Sequence, residues 1–202
     1  MRQLTNQEEE KLKDLTENSI SLTLIEPTET GLKKSIMDAT GSVRNYLRKN
    51  NFHDFNSQAQ GPDYKIIIDA LIYEIDKVNK SRTSLYRPKT KKGDPRIWFT
   101  GLTKHSNPND ILALIGFEGK LHVLNLTQLP IEQLIDSATA NPIKELIEEI
   151  NSIENAASKE LLNMLTNLAK AGPILSLVDA DTSVGRTLET ALGIDINSSK
   201  LP

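Results

Sequence analysis

Apolar positions along this chain fall into two textures. Up to residue 130 they come as short runs broken by polar loops; after Pro130 they recur every three or four residues. The first texture predicts strands and short helices, the second an amphipathic helix. NQEEEKLKDLTE, residues 6–17, reads as a polar helix with Asn6 as its N-cap and acids in its first turn. SLTLI, 21–25, alternates like a strand, and Pro27 and Gly31 punctuate the next stretch. Ser35 to Lys49 reads as one or two helical segments with Ile36, Val43, Tyr46 and Leu47 inward and a break at Gly41. KIIIDALIYEI, 65–75, fits a strand, with a buried helix as the alternative.

Thr83 to Arg87 and Arg96 to Leu102 predict two strands joined by RPKTKKGDP, whose Gly-Asp-Pro is turn chemistry. Ile111 to Phe117 and Lys120 to Leu126 predict a hairpin with Glu118-Gly119 at its turn. From Ile143 through Ile150 and Leu161 to Leu168 the spacing predicts a helix of about 25 residues, ended by Gly172-Pro173. ILSLV, 174–178, is a short apolar run. Asp181 or Thr182 then caps a last helix, SVGRTLETALG, which Gly193 closes. The expected class is α+β: a mixed domain of helices and β-hairpins, followed by a helical segment.

Composition narrows the functions. The 202 residues contain no cysteine, which removes disulfides, thiolate metal sites and cysteine nucleophiles, and suits a reducing cytoplasm. No apolar run has the roughly 20 residues of a membrane span, and the acidic N-terminus is no secretory signal. The net charge of −3 conceals a basic block. Between Lys80 and Lys104 eight Lys and Arg side chains face Asp94 alone, and the rest of the chain is acidic. Charge concentrated in this way points to a polyanion.

The candidate DNA-binding set is Arg82, Tyr86, Arg87, Lys89, Lys91, Lys92, Arg96 and Trp98. Arginine reads guanine edges, lysine contacts phosphate, and Tyr86 or Trp98 can stack on an exposed base. The bland alternative is a solvated hairpin with Trp98 in the core. A second cluster, Lys33, Lys34, Arg44, Arg48 and Lys49, fits a solvated helix face. His53, Asp54, Gln58 and Gln60 offer a base-reading loop, whereas His53, His105 and His122 are too scattered for a metal site and His122 fits a structural role in a strand. Glu118-Gly119-Lys120 with Asp110 upstream mimics a nuclease Glu-x-Lys. Glycine between two apolar β runs favours a hairpin tip instead.

The last 22 residues, DTSVGRTLETALGIDINSSKLP, resemble the opening of nucleases related to MutH, MvaI and BcnI. The matching residues are Gly185, Thr187, Leu188, Glu189, Leu192, Gly193, Ser198, Ser199, Lys200 and Pro202. In that family an aspartate and a Glu-x-Lys come next and bind Mg²⁺. The resemblance therefore implies a Mg²⁺-dependent type II restriction endonuclease acting on double-stranded DNA. Glu189 takes the place of the helix glutamate beside the metal. The chain is expected to stop short of the remaining catalytic residues, so the fragment alone would bind no Mg²⁺ and cut nothing. Residues 29–65 and 84–102 resemble a region upstream of the nuclease domain in longer relatives. The implied organisation is 1–130 for DNA binding, 131–180 as helical connector and 181–202 as the first helix of a MutH-like nuclease domain. Two rivals stand beside it: a non-catalytic protein-interaction or oligomerisation module, and a self-contained nuclease using Asp110, Glu118 and Lys120.

Overall fold

The computed structural model describes residues 1–172, 174–176 and 183–193. It is α+β, and it divides into two compact units, Met1–Asn151 and Ser152–Pro202. The first holds a seven-stranded sheet: β1 Thr23–Ile25, β2 Met37–Asp38, β3 Ile66–Tyr73, β4 Val78–Tyr86, β5 Arg96–Phe99, β6 Leu112–Phe117 and β7 Lys120–Asn125. The spatial order is β1-β6-β7-β3-β4-β5-β2. All neighbours are antiparallel except β3 and β7, which run parallel with Ala70 opposite Leu121.

The helices are α1 Asn6–Glu17, α2 Glu29–Lys34, α3 Gly41–Lys49, α4 Ile131–Asp136, α5 Pro142–Ala171 and α6 Ser183–Ala191. The cap of α1 is Thr5 rather than Asn6. Its hydroxyl accepts from the Glu8 amide while the Glu8 carboxylate accepts from the Thr5 amide, a reciprocal pair that Asn6 cannot make. The stretch from Ser35 departs from the helical expectation. Ser35 turns left-handed at φ 53° and ends α2, Met37–Asp38 pairs with β5, and only Gly41–Lys49 is helical, capped by Thr40. The strand reading of 65–75 holds, as does the hairpin at Glu118-Gly119. Glu118 (φ 47°) and Gly119 (φ 72°) are both left-handed, the geometry that matches a tight hairpin to strand twist.

Burial explains the strand textures. β6 reads Leu112-Ala113-Leu114-Ile115 because it is covered on both sides. Leu112 and Leu114 join a core with Val43 and Leu47 of α3, Leu85, Ile97, Phe99, Leu121 and Val123. Ala113 and Ile115 join a second core with Leu15 of α1, Leu134 of α4 and Ile143, Leu146, Ile147 and Ile150 of α5. Each fully buried Leu or Ile contributes about 1.5–3 kcal/mol. β4 reads VNKSRTSLY because only one of its sides is covered; Thr83 and Leu85 are buried while Lys80 and Arg82 are exposed.

The predicted amphipathic helix is α5, 30 residues long. Its apolar stripe is buried to Ile150, and farther along Ile153, Leu161 and Leu165 are exposed. The expected apolar run 174–178 is described only at 174–176, where it is neither helix nor strand.

Candidate nucleic-acid interface

Strand register decides which of the basic hairpin's side chains act together. Opposed residues of paired strands share a side of the sheet, and neighbours along a strand alternate. Tyr86 lies opposite Arg96, which lies opposite Asp38. Ile67, Ser84 and Trp98 form the next row, and Asp69 and Arg82 the row after it. Arg82, Tyr86, Arg96 and Trp98 therefore share one side of the sheet, the side opposite the buried Leu85 and Ile97. That side is largely open: Arg82 and Asp69 are exposed, and Ser84, Tyr86 and Trp98 are half-buried. Lys65 adds a cation there, its Nζ 5.6 Å from the centre of the Tyr86 ring. Burial raises the Tyr86 hydroxyl pKa, so the ring stays neutral at physiological pH.

The other predicted residues lie in the connection between β4 and β5. Lys89, Lys91 and Lys92 are exposed. Lys91, Lys92 and Gly93 all adopt positive φ, 50°, 55° and 74°. Gly93 suits its left-handed φ, and a Cβ there would lie 2.5 Å from the amide nitrogen of the exposed Gln60 side chain, which would have to move aside. Arg87 supports this turn from beneath. Its Nε donates to the Gly93 carbonyl at 2.9 Å, and one Nη donates to the carbonyls of Gln58 and Phe55 at 3.1 and 3.4 Å. The Arg87 backbone carbonyl accepts from the Gly61 amide at 2.8 Å. Its guanidinium is thus committed to shaping the loop.

Arg96 is mostly covered, with 12% of its side chain exposed, and its Nη1 pairs with the Asp38 carboxylate. Its Nε is buried without a hydrogen-bond partner among the described residues. Trp98 touches the first core as well as standing on the open side, so the bland and the functional readings each hold a part of it. A groove of about 740 Å³ adjoins Tyr86 and Arg96, bounded by β1, α2, β2 and the β4–β5 connection. Lys34, Asp38, Thr40 and Lys91 line it as well. Asp38 and Lys65 escaped the sequence reading, and Lys34 was expected only on a solvated helix face; the register and the groove bring them next to Tyr86.

The remaining candidates separate. Gln58 is buried, donating to the carbonyls of Tyr64 and Leu85 and paired with His53, so it is not free to read a base. Arg44 and Arg48 are exposed on α3, as a solvated face requires. Asp110 is buried and accepts from the Asn107 amide, Asn125 and Gln128 at 2.8, 2.8 and 2.6 Å. Glu118 stands at a hairpin tip and Lys120 pairs with Phe117, so the Glu-x-Lys look-alike has turn geometry. His105 pairs with Glu74 and His122 with the Tyr73 hydroxyl, and burial lowers the His122 pKa.

Glu189 is exposed on α6, which Gly193 closes at φ 69°, as expected. Leu192 is buried. The expected caps Asp181 and Thr182, and Ser198, Ser199, Lys200 and Pro202, lie outside the described residues. Among the described residues no three His, Asp or Glu side chains are grouped to hold a metal. No helix among them is long and apolar enough to cross a membrane.

The model of the MvaI/BcnI restriction endonuclease family matches residues 162–202 and supports an MvaI/BcnI-type classification of the chain. The match starts within α5, about twenty residues before the motif that carries the sequence resemblance. No curated protein and no solved structure matches the chain.

Proposed function

We propose that this chain is the DNA-engaging N-terminal part of a type II restriction endonuclease, holding double-stranded DNA for Mg²⁺-dependent cleavage by the full-length protein. One observation carries the reading. Arg82, Tyr86, Arg96 and Trp98 share an open side of the sheet, and Lys89, Lys91 and Lys92 project from the connection beside it, in a chain whose residues 162–202 match a restriction endonuclease family. The lysines would contact phosphates, Arg82 would reach the backbone or a base edge, and the aromatic rings would meet sugar or base. Residues 1–202 alone are expected to bind without cutting, and incubation with Mg²⁺ and plasmid DNA should yield no nicked product.

Fluorescence anisotropy with a random-sequence 20-base-pair duplex tests the reading. Affinity should fall as salt rises, by about tenfold or more between 50 and 200 mM. Binding indifferent to salt, or no binding, would refute it.

A second reading, a protein-interaction module, draws on Ile153, Leu161, Leu162 and Leu165, all large apolar side chains exposed along α5. Concentration-dependent self-association, lost in a Leu161→Glu, Leu165→Glu double variant, would favour it.

A further inference from the structure

We propose that the groove beside Tyr86 receives a single nucleotide swung out of the duplex, with Tyr86 as the stacking wall and the Asp38–Arg96 pair as the reader of its base edge. This rests on the DNA-binding reading above and adds a base-binding pocket to it.

The first support is size. The groove encloses about 740 Å³, within the range of about 300–1,000 Å³ that small-molecule sites occupy. The second is its lining. Tyr86 offers a ring that is neutral at physiological pH, already backed by the Lys65 ammonium 5.6 Å from its centre. Stacking a base on an aromatic ring contributes about 1–3 kcal/mol. The third is the pair at Arg96. A carboxylate beside a guanidinium presents an acceptor next to a donor, the complement of a base carrying an amino group beside a ring nitrogen, such as adenine. Asp38 is 73% exposed, so its carboxylate can be reached from outside.

The fourth support is charge at the rim. Lys34 and Lys91 both line the groove, and Lys89 and Lys92 lie in the same connection. A displaced nucleotide brings its flanking phosphates with it, and these cations are placed to hold them. Trp98 is not part of the lining; it stands in the adjoining row of the sheet, where it can meet the duplex itself.

Extruding a paired base costs a few kcal/mol, and an unpaired base costs least. The 202-residue chain should therefore bind a 20-base-pair duplex with one unpaired adenine about tenfold more tightly than the fully paired duplex. Tyr86→Ala and Asp38→Ala should each bring the two affinities together, and Tyr86→Phe should retain the preference. Lys89→Ala should weaken both duplexes alike. Because Asp38 is exposed, its variant tests the pocket even if Tyr86→Ala fails to fold. With 2-aminopurine as the unpaired base, binding should change its fluorescence in the wild type and less so in Tyr86→Ala. Equal affinity for both duplexes, or a preference that survives Asp38→Ala, would overturn the pocket while leaving DNA binding intact. Failure to bind either duplex would overturn the DNA-binding reading itself.

Discussion

The Thr127 hydroxyl donates to the Glu8 carboxylate at 2.5 Å, joining residues 119 positions apart. Glu8 also accepts from the Arg2 guanidinium and the Thr5 amide, and Thr127 Oγ1 accepts from the Ile111 amide. One buried carboxylate thereby fastens α1 to the end of the sheet.

This arrangement predicts a pH dependence. The hydrogen bond from Arg2, opposed by burial and assisted by Thr127, holds the Glu8 carboxyl down to about 2, against an ordinary value of 4.5. A carboxyl depressed in the folded state stabilises above its unfolded pKa, and the contribution fades as pH falls from about 4.5 toward 2. Glu8→Gln should cost about 2 kcal/mol at neutral pH, lowering Tm by about 5 °C. The gap should close on acidification through that window. A gap independent of pH would contradict the assignment.

Arg87 and Lys92, five residues apart, should behave differently when replaced. Arg87→Ala removes three donations to backbone carbonyls, so it should lower Tm by about 6 °C. Lys92→Ala should leave Tm unchanged and reduce the slope of log K against log salt by about one. Thermal melts and salt titrations of both variants measure the two effects separately.

Gly93→Ala should disturb the same loop without removing any charge. It places a Cβ at φ 74° and against Gln60, at a cost of about 1–3 kcal/mol. The lysines then lose their fixed geometry, so DNA affinity should fall although their number is unchanged. Unaltered affinity would mean that Lys91 and Lys92 act without a fixed turn.

Asp110→Ala should destabilise by about 2–4 kcal/mol, because it strands donors from Asn107, Asn125 and Gln128. Chemical denaturation gives the value. Mg²⁺-dependent nicking by residues 1–202 that disappears in Lys120→Ala would instead establish a self-contained nuclease using Asp110, Glu118 and Lys120.

The elements legible in the sequence were those whose signal is local. The β6–β7 hairpin announced itself through two apolar runs around Glu118-Gly119, and α5 through its period. The basic connection was legible as charge. The hidden features were set by distant partners. Met37–Asp38 becomes a strand only because Arg96–Ile97 pairs with it, and no stretch of local sequence reveals that. The same pairing brings Asp38 to Arg96. The commitment of Arg87 to backbone carbonyls depends on where residues 55–61 pass, which charge counting cannot see. Gln58 looked like a base reader because its amide chemistry is the same whether it meets adenine or the Leu85 carbonyl.

The two outermost strands of the sheet are its shortest, three residues in β1 and two in β2. Few backbone amides and carbonyls are therefore left in an extended row at either border. A neighbouring molecule finds little template there on which to lay down another strand. The protein can display exposed isoleucines and a ladder of side chains to a ligand while resisting the stacking of copies border to border.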